Sequence, residues 1–281
     1  MKKPQPILIA DLFPELLDGL IELLTSLSPE DWNRKTVCPQ WTVKDIASHL
    51  LGGECGILSR KRDAYPTSGK EIESWEELVA FINNLNRVWV EATQRLSPRL
   101  MCDLFKFTGP QVCNYFASLD PYSMGGPVDW AGSGPAPVWL DLAREYTERW
   151  HHQQQIRDAV WQPGLKEPRL FAPVLDAFVR ALPHTFRNTG AKDGTTVGLT
   201  ITGDAGGRWI LRREQTGWNL YVVDPEIDSQ MAFDAETIID QDIAWRLFSR
   251  GVGVDQARSA ASLLGDQALG AKTLEMISVI A

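Results

Sequence analysis

The sequence predicts an α+β protein: a four-helix bundle followed by a small α+β domain with an antiparallel sheet. Three observations carry that expectation. Apolar residues recur at helical spacing along the first half of the chain, strict apolar/polar alternation appears only beyond residue 196, and Gly- and Pro-rich stretches separate the two patterns. The expected domains are residues 1–165, helical, and residues 166–281, α+β.

In the first domain, Leu16, Leu17, Leu20, Leu23, Leu24 and Leu27 mark one helix that ends near Pro29. Thr42-x-x-Asp45 has the form of a capping box and opens a second helix, with Ile46, Leu50 and Ile57 on one face. Leu78, Ile82, Leu85 and Trp89 define a third. A fourth, less regular helix is expected from about Arg99 to Leu119. The stretch from Asp120 to Trp139 is too rich in Gly and Pro for regular structure, and a further helix, "AREYTERWHHQQQIRDAV", runs from Ala143 to Val160 until "WQPGLKEP" stops it.

In the second domain, "RLFAPVLDAFVRAL" reads as a connecting helix. Val197, Leu199 and Ile201 alternate, as do Trp209 with Leu211 and Trp218 with Leu220 and Val222; "GDAGG" and "EQTG" between them suit hairpin turns. A further strand is expected at Gln230 to Phe233, then helices at about Ala235 to Arg250, Asp255 to Leu264 and Gln267 to Ile280.

Of the 281 residues 44% are hydrophobic and 23% charged, which is enough apolar mass for a sizeable core. The net charge of −8, with no Lys/Arg block, disfavours nucleic acid and anionic membranes as partners. Cys38, Cys55, Cys102 and Cys113 show no C-x-x-C spacing and suit reduced thiols. The apolar run after "MKK" is short and broken by Pro6, a poor signal peptide, and no run approaches the ~18 apolar residues of a membrane span. A cytoplasmic location is expected.

Metal-ligand chemistry concentrates in the helix from Ala143 to Val160, which holds two of the four histidines. Four residues along a helix rotate a side chain by about 400°, so neighbours at that spacing lie only about 40° apart. Glu148 and His152 therefore share a face, with His151, at i+3, as the competing choice. His49 shares the apolar face of its own helix with Ile46 and Leu50, and an imidazole turned into a bundle needs a partner. Were the helices brought together, His49, Glu148 and His152 would offer three protein ligands and leave a fourth tetrahedral position open, as catalytic zinc sites do. The alternative reading is a solvated stripe of Glu145, Glu148, His152 and Gln155 opposite Leu142, Tyr146 and Trp150. From spacing alone both stand.

"QWTVKDIASHL", Gln40 to Leu50, resembles the W-[ST]-V-x-D/E-x-x-x-H-L stretch of the DinB-like and mycothiol-dependent maleylpyruvate isomerase-like metalloproteins, and "EYTERWHHQQQIRDA" resembles their second metal stretch. The segment from Leu247 to Ala281 is similar to the α+β domain that follows the bundle in isomerase-like members. The resemblance implies His49, Glu148 and His152 as metal ligands with His151 as a neighbour. The family commonly has Asp three residues after the second His, where this chain has Gln155.

It further implies a divalent metal and transfer or isomerisation chemistry on a low-molecular-weight thiol such as mycothiol, with an electrophilic second substrate. Zn²⁺ is the first choice for two nitrogens and an oxygen, with Ni²⁺, Mn²⁺ or Fe²⁺ as alternatives. Two rival readings are a metal-dependent hydrolase using bound water and a non-catalytic ligand-binding or regulatory module.

Other residues read more simply. Arg144 and Arg149 could meet a substrate carboxylate but suit surface ion pairs, Cys55 suits a buried thiol, and Asp45 suits either a helix cap or an orienter of His49. Trp41, Trp75, Trp89 and Trp150 read as packing residues, and His184 as structural or exposed.

Overall fold

A computed structural model describes residues 1–66, 74–223 and 232–279. The chain falls into two compact units: Ala10–Asp120 with Glu148–Leu165, and Met1–Ile9 with Pro121–Thr147 and Lys166–Val279. The chain crosses between the units at 9/10, 120/121, 147/148 and 165/166.

The first unit is helical. Pro14 near its start and buried Leu16, Leu20, Leu23 and Leu24 along one face make α1, Phe13–Ser26. A Ser28/Asp31 capping box starts the short α2, Pro29–Trp32. A second capping box starts α3, Val43–Gly56: the Thr42 backbone N–H and hydroxyl donate to Oδ2 of Asp45 at 2.9 and 2.7 Å. A π-helical turn, Ile57–Arg62, follows. The next two helices are α4, Trp75–Thr93, and α5, Pro98–Ala117, the latter matching the expected fourth helix closely. The last is α6, Val138–Val160, which begins five residues before the expected start; its part from Glu148 onward belongs to this unit.

The bundle core joins Leu20, Leu24, Ile46, Leu50, Phe105 and Ile156. At Gly109 of α5 an added Cβ would lie 2.5 Å from Leu17, so the absent side chain lets α1 approach closely. The apolar face expected for α4 is only partly packed, with Leu85 exposed. Contact with α3 comes through Trp89, whose indole N–H donates to the Ser48 carbonyl at 2.8 Å, over Gly52.

In the second unit, α7 (Pro168–Val179) and α8 (Leu182–Thr185) precede the strands β1 (Thr196–Thr202), β2 (Gly207–Glu214) and β3 (Gly217–Val222). Each strand matches its expected alternation. The expected strand from Gln230 has its first two residues outside the described ones, and Ala232 and Phe233 are irregular. The helix expected from Ala235 is a correction: Ala235–Asp240 is strand β4, and only Gln241–Phe248 is helical, as α9. Ala235 and Ile239 are buried, and parallel pairing with β1 decides the conformation over local propensity.

The helix expected over Asp255 to Leu264 also divides, into α10 (Val254–Ala260) and β5 (Ser262–Gly265), which pairs with β4. Gly265 makes this turn possible, with φ of 67° and an added Cβ only 2.3 Å from the Asp234 carbonyl oxygen. The last helix, α11, is Gln267–Thr273, shorter than expected, and Ile280 lies outside the described residues. The sheet order is β3-β2-β1-β4-β5, antiparallel at three of its pairings and parallel between β1 and β4, and α7, α8, α9 and α11 pack on it. No helix among the described residues is long and apolar enough to cross a membrane.

Candidate metal centre

Helix α6 is polar in sequence yet buried. Glu145, His151, His152, Gln153, Gln154 and Gln155 are all buried, which overturns the solvated-stripe reading. Burial of so many polar groups requires partners, and the bundle supplies them. Gln153 donates to the Leu16 carbonyl at 3.1 Å, Gln154 to that of Gly164 at 3.0 Å, and the Trp150 indole to that of Leu165 at 2.8 Å. These bonds fix the rotation of α6 and therefore the direction in which Glu148 and His152 point.

Thr42 caps α3 seven residues before His49, and Trp89 of α4 packs over Gly52 three residues after it. Oε1 of Glu148 lies 2.8 Å from Nε2 of His49 and 3.2 Å from Nε2 of His152. The three atoms lie within 4.8 Å of one another, and they form the group suited to a metal ion among the described residues. The two imidazoles meet edge to face, their centroids 4.7 Å apart. The Trp41 ring lies 5.0 Å from His49 and 6.3 Å from His152, walling one side of the convergence.

Dense packing around the Glu148 carboxyl opposes ionisation, although about a third of the side chain is exposed (32%). His152, by charge and hydrogen bond, and His49, by hydrogen bond, outweigh it and hold the carboxyl well below the usual range, so Glu148 is an anion at neutral pH. Two Nε2 atoms and a carboxylate oxygen are a donor set suited to a divalent cation. Ligand atoms ~2.0 Å from a tetrahedral ion lie roughly 3.3 Å apart, near the 3.2 Å between Glu148 Oε1 and His152 Nε2. The residues fit the group that the sequence implies.

His151 packs on His152 with centroids 4.0 Å apart and stands outside the convergent set. Asp45 acts as the cap, its other oxygen accepting from Gln94. Arg149 lies over the rings of Phe13 and Phe116 at 5.8 and 5.3 Å. In the second unit, Arg144 pairs with Asp141 and Glu145, and His184 sits on α8.

Three features escape the sequence patterns. Nδ1 of His152 lies 2.7 Å from Oε1 of Gln155, and Sγ of Cys38 lies 3.6 Å from the same oxygen. The Cys38 contact spans 117 positions and has no periodic signature. The third is Glu54, buried near Thr108 and Arg149, where burial pushes its pKa up to about 7 against the Thr108 bond and the Arg149 charge.

Residues 13–157 match the family model described as the mycothiol maleylpyruvate isomerase N-terminal domain. Two solved structures are similar in fold. One is the mycothiol-dependent maleylpyruvate isomerase in a histidine-to-alanine mutant form, with a TM-score of 0.52, 8% identity, and coverage of 90% of this chain and 90% of that one. The other is the mycothiol-dependent maleylpyruvate isomerase, with a TM-score of 0.51, 10% identity, and coverage of 86% and 88%. No curated protein gives a significant match.

Proposed function

The chain belongs to the family of the mycothiol maleylpyruvate isomerase N-terminal domain, and from that premise we propose that it is a divalent-metal-dependent enzyme that uses a low-molecular-weight thiol of the mycothiol type for transfer or isomerisation. The observation that supports this reading is the convergence of His49, Glu148 and His152 inside the family-matched stretch.

His49 and His152 would hold the cation through Nε2 and Glu148 through Oε1, with Zn²⁺ preferred and Ni²⁺, Mn²⁺ or Fe²⁺ compatible with the donors. When bound, the cation supplies one kind of chemistry: a thiol coordinated to it is deprotonated, and the thiolate is the nucleophile. The remaining work belongs to the chain. Glu148 contributes a single negative charge against the two positive charges of the cation, so the site keeps an excess positive charge that favours an anionic sulfur. Trp41 covers one side of both imidazoles and restricts water there, which strengthens that attraction. Three protein ligands leave room for an exchangeable one.

The test is a thiol titration of the cobalt-substituted protein. Mycothiol is expected to produce a saturable sulfur-to-cobalt absorption band. Cobalt uptake without such a band for mycothiol, bacillithiol or glutathione would remove the thiol and leave the hydrolase reading. No cobalt uptake at all would remove the metal.

A further inference from the structure

A narrow slot runs inside the bundle between α1, α3, α5 and α6. The centre of a water molecule can move through about 20 Å³ of it, so an occupant is limited to a few non-hydrogen atoms. Its walls are mostly apolar, Phe13, Leu20 and Phe105 among them. Leu50, Arg149 and Gln153 also line it, and each directly follows one of the three candidate ligands. One residue turns a helix by about 100°, so the slot and the metal centre use different faces of the same two helices.

Glu54 is the under-satisfied group of this slot. Its side chain is 5% exposed, and Thr108, which donates to Oε2, is its only hydrogen-bond partner among the described residues. A carboxyl offers about four acceptor positions, and a buried polar group normally finds partners. Burial pushes the pKa of Glu54 up to about 7, so the neutral acid is well populated at neutral pH. With Oε2 accepting from Thr108, the acid proton belongs on Oε1. Gln153 is already engaged, donating to the Leu16 carbonyl and accepting from Arg157. The charged and titratable groups around Glu54 are Arg149 on α6, Cys113 on α5, Cys55 beside it on α3, and Asp18 on α1, which acts on Cys113. Burial keeps both thiols neutral.

A metal cation does not suit these groups. Neither Glu54 nor Cys113 belongs to the convergent ligand set among the described residues, and the Arg149 charge repels a cation. A guanidinium beside an acid that can hold a proton instead makes two donors for one anion. Apolar walls then favour an anion with a short apolar remainder. We propose that the slot binds a short-chain monocarboxylate of two or three carbons, whose carboxylate pairs with Arg149 and accepts the proton on Oε1 of Glu54 while its alkyl end meets the apolar wall. No covalent bond changes, and the inference stands apart from the metal reading.

The test is a titration of the full-length protein with sodium propionate at constant ionic strength, followed by ¹H–¹⁵N spectra, with sodium chloride and propionamide as controls. Saturable shifts are expected at Leu50, Gly109, Val112 and Gln153, which line the slot. Only the protonated form of Glu54 offers the second donor, so affinity should be about tenfold higher at pH 6 than at pH 8. Glu54→Gln carries an amide that donates at every pH, and its affinity should be equal at the two pH values. Arg149→Met keeps an unbranched side chain between Phe13 and Phe116 without the charge, and should bind at least ~10-fold more weakly.

The absence of saturable shifts at the slot with propionate at pH 6 overturns the inference. Equal shifts with chloride or with propionamide overturn it too, since the first needs no alkyl end and the second no charge. Shifts confined to Trp41, Gln155 and their neighbours would place the carboxylate at the metal centre and also contradict it. Equal wild-type affinity at pH 6 and pH 8 removes the shared proton and with it the part of Glu54. If Arg149→Met does not fold, the pH profiles of the wild type and Glu54→Gln still decide.

Discussion

Oε1 of Glu148 lies 2.8 Å from Nε2 of His49, 99 positions away in the chain, and this contact joins α6 to α3 at the candidate centre. The same oxygen lies 3.2 Å from Nε2 of His152. One carboxylate oxygen thus gathers the two imidazole nitrogens at a single point.

Glu148→Gln tests the charge in that arrangement. The amide keeps the shape but removes the only anion of the donor set, so divalent-cation affinity is expected to fall by at least ~100-fold, the upper end of the range for groups that merely support a ligand. Isothermal titration with Zn²⁺ checks it. A variant that binds as well as the wild type would show that the carboxylate is not a ligand.

Glu54 makes stability depend on pH. The Thr108 hydroxyl lies 2.9 Å from the Leu104 carbonyl and also contacts Oε2 of Glu54. The hydroxyl donates to that carboxyl and favours its ionised form, and burial outweighs the bond. A folded pKa of about 7 lies above the usual 4.5, so the stabilisation is complete below pH 4.5 and is lost as pH rises through 7. Relative to Glu54→Gln, the wild type is expected to lose roughly 3 kcal/mol between pH 4.5 and 8. Urea unfolding of both proteins across that range checks it, and parallel curves would contradict it.

Thr42→Ala removes half of the capping box that starts α3 and is expected to cost ~1 kcal/mol. His49 lies nearly two turns further on, in a helix also held by the Trp89 contact, so metal stoichiometry should not change. Chemical denaturation and metal analysis of one preparation separate the two effects. A metal-free but folded variant would mean that the cap sets the site and not only the helix.

Local signals explain what was legible. Thr42 and Asp45 form the capping box that their spacing implies, and the alternating strands β1 to β3 stand where their periodicity puts them. Glu148 and His152 share a face because helix geometry leaves no other choice. The failures are long-range. Ala235–Asp240 becomes a strand because β1 pairs with it, and Ser262–Gly265 because β4 does. The dry environment of α6 could not be read from a segment so rich in Gln, His and Glu, since the carbonyls that satisfy it belong to Leu16, Gly164 and Leu165. For the same reason the Cys38 contact with Gln155 leaves no trace in either local pattern.

The most direct measurement is the metal content of the purified wild type and of His49→Ala, by elemental analysis after exhaustive dialysis, with circular dichroism to establish that both are folded. The account predicts about one divalent ion per wild-type chain and a nearly metal-free variant, since two remaining ligands from α6 alone make a weak site. Equal metal content in the two proteins would contradict it.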